Sequence, residues 1–291
     1  MTRTPIYGLL LATIGALILT PDTMLMRLSN MSGFQMLAWR GLGAGAVMMA
    51  LWLLQGAPGR KALIGPAGLA IIFCHFVNGA LFTLGIAIAP VAVVLFGVAT
   101  SPIFAAIFAL FVGEPVRPST WAAIAAVLAG IALAVFGRAE GGISLDHSAI
   151  LGAAAGLGVA ASLALSFVII RQVHAVPIQP AIGSGSLLAG LVGTVAIGGP
   201  SALFNAGGEI WAIAITGLVI LPASFLLLTL ASRHTSATNV SLLLLLETVL
   251  GPVWVWIGVG ETMTAPMIIG GMIVVISLAT YLLFGTSRQR V

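Results

Sequence analysis

Ten continuous apolar stretches fill almost the whole chain, and they constrain it more than any other feature. They cover residues 6–26, 33–54, 62–86, 90–112, 119–137, 149–170, 178–198, 210–230, 237–259 and 265–284. A helix needs about 20 mostly apolar residues to cross a bilayer. Each stretch is of that order. Each is also continuously apolar rather than alternating, which argues against the strands of a membrane barrel. The breaks carry Gly, Pro, Asn or charge, as at Ser29-Asn30, Gly56-Ala57-Pro58-Gly59-Arg60-Lys61 and Gly198-Gly199-Pro200. No connection exceeds about a dozen residues, so no soluble catalytic domain fits between the stretches. The expected fold is an all-α integral membrane protein with ten transmembrane helices. The first stretch is expected to stay as a span rather than be cleaved as a signal peptide. It is long, lacks a clear small-x-small site, and holds Pro21-Asp22.

Composition agrees. Of 291 residues, 60% are hydrophobic and 6% charged, against roughly a quarter charged in a soluble domain. That excludes both an ordinary soluble globule and a disordered chain. The single cysteine, Cys74, excludes an internal disulfide and a cysteine metal cluster. A net charge of +4 would suggest nucleic acid in a soluble protein, but here the placement of the 11 basic residues decides its meaning. With a cytoplasmic N-terminus and alternating spans, Arg3, Arg60, Lys61, Arg117, Arg171, Arg233, Arg288 and Arg290 face the cytoplasm. Only Arg27 and Arg138 face outward, and Arg40 lies inside the second span. This is a positive-inside pattern, with both termini cytoplasmic. Arg60-Lys61 is read as a topology signal before an anionic-lipid site. Nucleic acid is not an expected partner; a bacterial inner membrane is the expected location. Trp52, Trp121 and Trp211 fall near span ends, as interfacial anchors do, whereas Trp254 and Trp256 fit that role less well.

The chain also repeats itself. Val112-Gly113-Glu114 and Val259-Gly260-Glu261 each end an apolar stretch, 147 residues apart. Gly8 matches Gly152, and Arg27 matches Arg171, at an offset of 144. Residues 1–145 and 146–291 thus read as two five-span halves. Five is odd, so the second half enters the membrane inverted. Inverted repeats recur in secondary transporters, with the substrate near the midplane between them.

These features resemble the drug/metabolite transporter superfamily, specifically its EamA-type members, over essentially the whole chain. The residues that carry the resemblance are Gly113-Glu114, Gly260-Glu261, Arg40, and Arg233-His234-Thr235-Ser236-Ala237. The resemblance implies export, or in some members import, of amino acids and other small metabolites. Bacterial aromatic amino-acid exporters are the nearest subtype. Such families often have Glu-Pro where this chain has Glu247-Thr248, and the first half has Thr100 at the matching place, which leaves proton coupling open.

Ionisable groups in hydrocarbon are costly, so those within spans are functional candidates. By depth along their helices, His75, Asn78, Thr100, Ser101 and Glu247 lie near the midplane as one candidate substrate cluster. Glu247 is placed either to pick up a proton, to meet a substrate ammonium, or to fix packing. His75 reads equally as a ligand for substrate or as a packing hydrogen bond. Trp254, two turns beyond Glu247 on the Gly251 and Gly258 stripe, is either an aromatic wall of the cavity or ordinary packing. Asp22 and Arg40 share a depth, toward the outer side, and read as a structural ion pair or a gate, with Arg40 alternatively holding a substrate carboxylate. Phe73, Phe76, Phe82, Phe96, Phe104 and Phe225 are further wall candidates. Small-residue runs such as Gly41-x-Gly43-x-Gly45, Gly152-x-x-x-Gly156 and Gly183-x-Gly185 suit close helix packing, while Pro90, Pro102, Pro222 and Pro252 permit bending.

The expected function is a secondary transporter moving small metabolites by alternating access, with a small-molecule substrate and the bilayer as partners. An importer or exchanger of a nucleotide-like, vitamin or drug-like compound is the alternative. No metal set, cofactor motif, Walker loop, nucleophile elbow or HExxH is present, so no catalytic residue or cofactor is assigned. No filter-like loop supports a channel. Oligomeric state is left open.

Overall fold

The computed structural model describes residues 5–89, 91–136, 147–205, 207–260 and 265–281. The described residues form helices and turns, with no strand among them. In chain order the elements are α1 (Pro5–Leu19), α2 (Asp22–Leu28), α3 (Gly33–Leu54), α4 (Arg60–Leu63), α5 (Pro66–Ile88), α6 (Val91–Val98), α7 (Ser101–Phe111) and α8 (Pro118–Phe136). They continue as α9 (His147–Gln172), α10 (Ile178–Ala196), α11 (Ala202–Asn205), α12 (Ile210–Ile215), a π-helical turn (Thr216–Ile220), α13 (Leu221–Ser232), α14 (Ala237–Leu244), α15 (Leu246–Val259) and α16 (Ala265–Thr280).

Eight helical units are long and apolar enough to cross a membrane: Ile6–Leu28, Gly33–Leu54, Pro66–Ile88, Val93–Phe111, His147–Gln172, Ile178–Ala196, Ile210–Ser232 and Ala237–Gly258. Pro118–Leu133 and Ala265–Thr280 are apolar but shorter. The chain is thus a multi-pass membrane protein, with eight candidate spans among the described residues and two further apolar helices at the fifth and tenth of the expected stretches. Arg3, Pro90, Arg138, Glu261, Arg288 and Arg290 lie outside the described residues.

Local chemistry sets the helix ends. Ser32 Oγ accepts from the Gln35 amide at 3.3 Å and Ser236 Oγ from the Asn239 amide at 3.2 Å, so each caps a helix start. Gly113 and Gly260 close the fourth and eighth units in the left-handed region, at φ +79° and +78°. A side chain there would be strained, which explains why both Gly-Glu motifs place glycine at the helix end.

Three of the units are interrupted. Thr20-Pro21 separates α1 from α2, Ala99-Thr100 separates α6 from α7, and Leu245 separates α14 from α15. Proline explains the first break, because Pro21 supplies no amide hydrogen.

The packing is pairwise and close. α3 packs on α10, α5 on α9, α8 on α16, and α1 on α13. On the α3–α10 seam a Cβ at Gly41 would collide with the backbone of Gly190. A Cβ at Gly156 would likewise strike Val94 and Gly97, where α9 meets α6. These glycines let backbones touch, which is how helices gain dispersion energy in lipid.

The loops sort by face. Gly59 abuts Ala175 and Pro177, Arg171 reaches Glu114 and Thr235, and Arg233 reaches Val176. One end of the bundle therefore gathers the connections that carry Arg60, Lys61, Arg171 and Arg233. At other connections, the Glu209 amide donates to Ser29 O at 2.7 Å and Gln35 to Gly207 O at 3.0 Å.

Candidate functional site

A cavity of about 60 Å³ lies at the centre of the bundle, lined by residues from both halves of the chain. Its walls are mostly aliphatic, with Phe82 on α5 and Phe225 on α13. Its polar lining is Asp22, Arg40, His75, Asn78, Thr83, Ser186 and Glu247. All the ionisable side chains singled out within spans thus converge on one cavity. Asp22 and Arg40 line it together with His75 and Glu247.

The broken helices position the carboxylates. Asp22 opens α2 directly after Pro21, and Glu247 lies in the first turn of α15 directly after Leu245. A helix start presents free amides and the positive end of the dipole, which favours negative charge.

Arg40 Nη1 donates to both Asp22 oxygens, at 2.7 and 2.8 Å. The two side chains are 7% and 1% exposed, so this is a buried pair. Removing one partner from such a pair strands a charge. The pair uses one guanidinium nitrogen, and Nη2 and Nε make no hydrogen bond among the described residues. The face of Arg40 lies over the Phe82 ring, 5.7 Å from its centroid.

Glu247 is 6% exposed and lies within electrostatic reach of Asp22 and Arg40. Its carboxyl makes no hydrogen bond among the described residues, and neither does the Asn78 amide. Both stand at the cavity wall with capacity to bind a ligand. His75 Nε2 lies 3.2 Å from Ser166 Oγ, and its ring meets Phe225 edge-to-face at 5.6 Å. Hydrogen bonding and packing therefore both hold His75 at the wall. Gly185 permits this, since a Cβ there would strike the His75 side chain and the Ile72 carbonyl.

Three expected members of the cluster lie elsewhere. Thr100 Oγ1 turns back to Gly97 O at 2.6 Å, and Thr100 is not in the cavity lining. Ser101 is fully buried at the start of α7, its hydroxyl without a partner among the described residues, and it too misses the cavity. Trp254 is 39% exposed, and its indole donates to Thr20 Oγ1 at 2.8 Å. It buttresses the α1–α2 break from outside instead of forming a cavity wall. Among the phenylalanines, Phe82 and Phe225 line the cavity, Phe73 is exposed, and Phe104 packs on Phe108. Ser166 is a residue that sequence reasoning missed. It lies 91 residues from His75, and its only signal is the Ser162–Ser166 pair one turn apart on α9.

Near the basic end, Arg171 Nε donates to both Glu114 oxygens at 2.8 and 3.1 Å, and its Nη1 to Thr235 O at 2.7 Å. Gln172 adds a bond to Glu114 at 2.9 Å. This clasp ties the end of α7 to the end of α9 and to the start of α14.

Residues 6–136 match the EamA-like transporter family. No curated protein matches the chain. Among solved structures, one crystal structure superposes with a TM-score of 0.77 at 19% identity, covering 95% of this chain and 96% of the other. At that identity the likeness concerns the fold alone. The first part of the chain is thus similar to the EamA-like transporter family, and the apolar helices around the central cavity are those of a multi-pass membrane protein.

Proposed function

We propose that this chain is a transporter with ten spans in two inverted five-helix repeats, residues 1–145 and 146–291, and exports aromatic or hydrophobic amino acids by alternating access. The observation that carries the substrate reading is the convergence of Arg40 and Glu247 on one largely apolar cavity. A zwitterion needs a cation for its carboxylate and an anion for its ammonium. Arg40 has donors left over after pairing with Asp22, and Glu247 has an unengaged carboxyl. Phe82, Phe225 and the aliphatic wall suit an apolar side chain.

The repeat reading is supported by which helices touch. Advancing each partner by five spans turns the α5–α9 contact into the α13–α1 contact, and it maps α3–α10 and α8–α16 onto themselves. The matched glycine stops at Gly113 and Gly260 agree with it. The basic end faces the cytoplasm by the positive-inside rule.

Ligand sites for small molecules usually enclose about 300–1,000 Å³. A cavity of about 60 Å³ is smaller than that, so the helices must part to hold substrate. The Arg171–Glu114 clasp is the element that must open at the basic end. Substrate drives that change only by binding the two forms unequally. Glu247 is the proton-coupling candidate.

The test is reconstitution of the full chain into liposomes loaded with a mixed panel of amino acids and other metabolites, read by mass spectrometry. Saturable counterflow of intact aromatic or hydrophobic amino acids is the expected result. Movement of other metabolites alone would overturn the substrate assignment, and non-saturable flux would overturn the carrier mechanism.

A further inference from the structure

We propose a second binding site, at the basic end of the bundle, that holds the phosphate of an anionic phospholipid against Arg233. A groove there is lined by Pro58, Gly59, His174, Gln179, Leu226, Leu230 and Arg233, together with residues 175–178. It contains no carboxylate. Arg233 donates through Nη2 to Val176 O at 2.5 Å, which fixes the guanidinium. Its Nε is buried and has no hydrogen-bond partner among the described residues. A buried donor without a partner is uncommon and calls for a ligand. The nearest acid described at this end, Glu114, is already engaged by Arg171 and Gln172.

Two further features suit a phosphate. The 19-residue helix α10 begins at the groove, and no side chain caps it. Its first amides add the positive end of a helix dipole. His174 is exposed on the rim, and exposed Arg60 and Lys61 follow Gly59 directly.

The apolar part of the groove selects a lipid over a free ion. Leu226, Leu230 and Arg233 stand at i, i+4 and i+7, on one face of α13 and its continuation. Both leucines are only partly buried. A cationic head site therefore sits at the top of an apolar strip that descends along a spanning helix. That arrangement matches a phospholipid headgroup with its acyl chain, and basic pockets between spans on the cytoplasmic side bind such headgroups.

The experiment titrates the purified, delipidated full-length chain with phosphatidylglycerol, with phosphatidylcholine of the same acyl chains, or with inorganic phosphate, read by native mass spectrometry. The wild-type chain should retain phosphatidylglycerol preferentially. Arg233→Gln should weaken that retention at least about fivefold, the effect of one surface cation on anionic lipid. Arg233→Lys keeps the charge and should retain most of it, which separates binding from a folding defect. Leu230→Asn should also weaken retention, because the site includes the acyl chain. Arg117→Gln, outside the groove, should leave it unchanged. Equal retention of the two lipids, or unchanged retention in Arg233→Gln, would overturn the site. Equal retention of inorganic phosphate, unaffected by Leu230→Asn, would overturn the lipid assignment in favour of a free anion.

Discussion

Two interrupted helices show how this bundle distributes structure and chemistry. The fourth unit breaks at Ala99-Thr100 and the eighth at Leu245, each after an eight-residue helix, α6 or α14. Both end at a left-handed glycine. The polar side chains at the two breaks behave differently. Thr100 closes its hydroxyl onto Gly97 of its own helix. Glu247 has a longer, ionisable side chain that makes no such bond among the described residues, and it lines the cavity. The same backbone device thus serves as plain architecture in one half and presents a carboxyl group in the other.

Substitutions can break or sharpen this contrast. The largest effect on stability is expected where Arg40 serves the carboxylates around Glu247. Arg40→Gln strands Asp22 and should cost about 3–5 kcal/mol, read as a fall in melting temperature. Asp22→Asn with Arg40→Gln together should recover much of that loss. If the double variant is no more stable than Arg40→Gln alone, the pair is not the source of the cost.

Making the second break resemble the first comes next. Glu247→Thr should lower transport by at least about tenfold, equivalent to about 1.4 kcal/mol, while leaving the fold intact. Glu247→Gln should abolish any pH dependence of counterflow. Unchanged transport and pH dependence in both variants would remove Glu247 from the mechanism.

A smaller effect is expected at the clasp. Glu114→Gln should cost only about 0.2–1 kcal/mol, because the pair is partly exposed, at 27–30%. It should nonetheless speed thiol labelling of a cysteine placed at Ser186 in the cavity wall. Unchanged labelling would show that the clasp does not gate the basic end. The smallest effect belongs to Thr100→Ala, which removes a local hydrogen bond and should change stability by about 1 kcal/mol or less with transport unaltered. A large transport loss there would place the first break in the site after all.

Much of this was legible in the residues. Apolar length found the spans because lipid demands that backbone groups pair within a helix. Scarcity of charge picked out Asp22, Arg40, His75 and Glu247, since each is too costly in hydrocarbon to be incidental. Depth along a helix was a weaker guide. Thr100, Ser101 and Trp254 lie at suitable levels yet face other neighbours, because helical spacing fixes which residues share a face and not what that face meets. The Ser166 partner of His75 was invisible for the same reason: α9 and α5 come together only through packing. The predicted fifth and tenth stretches extend past α8 and α16 into residues outside those described.

The glycine stops at Gly113 and Gly260 have a consequence for how such a chain could arise. A left-handed residue ends a helix identically whichever way the segment points, because backbone sterics carry no knowledge of inside and outside. Arginine and lysine do carry that knowledge, through the insertion machinery. Helix length and helix direction are therefore written in different residues. A duplicated segment could be turned over by relocating a handful of cations, with every helix terminus, seam and break left as it was.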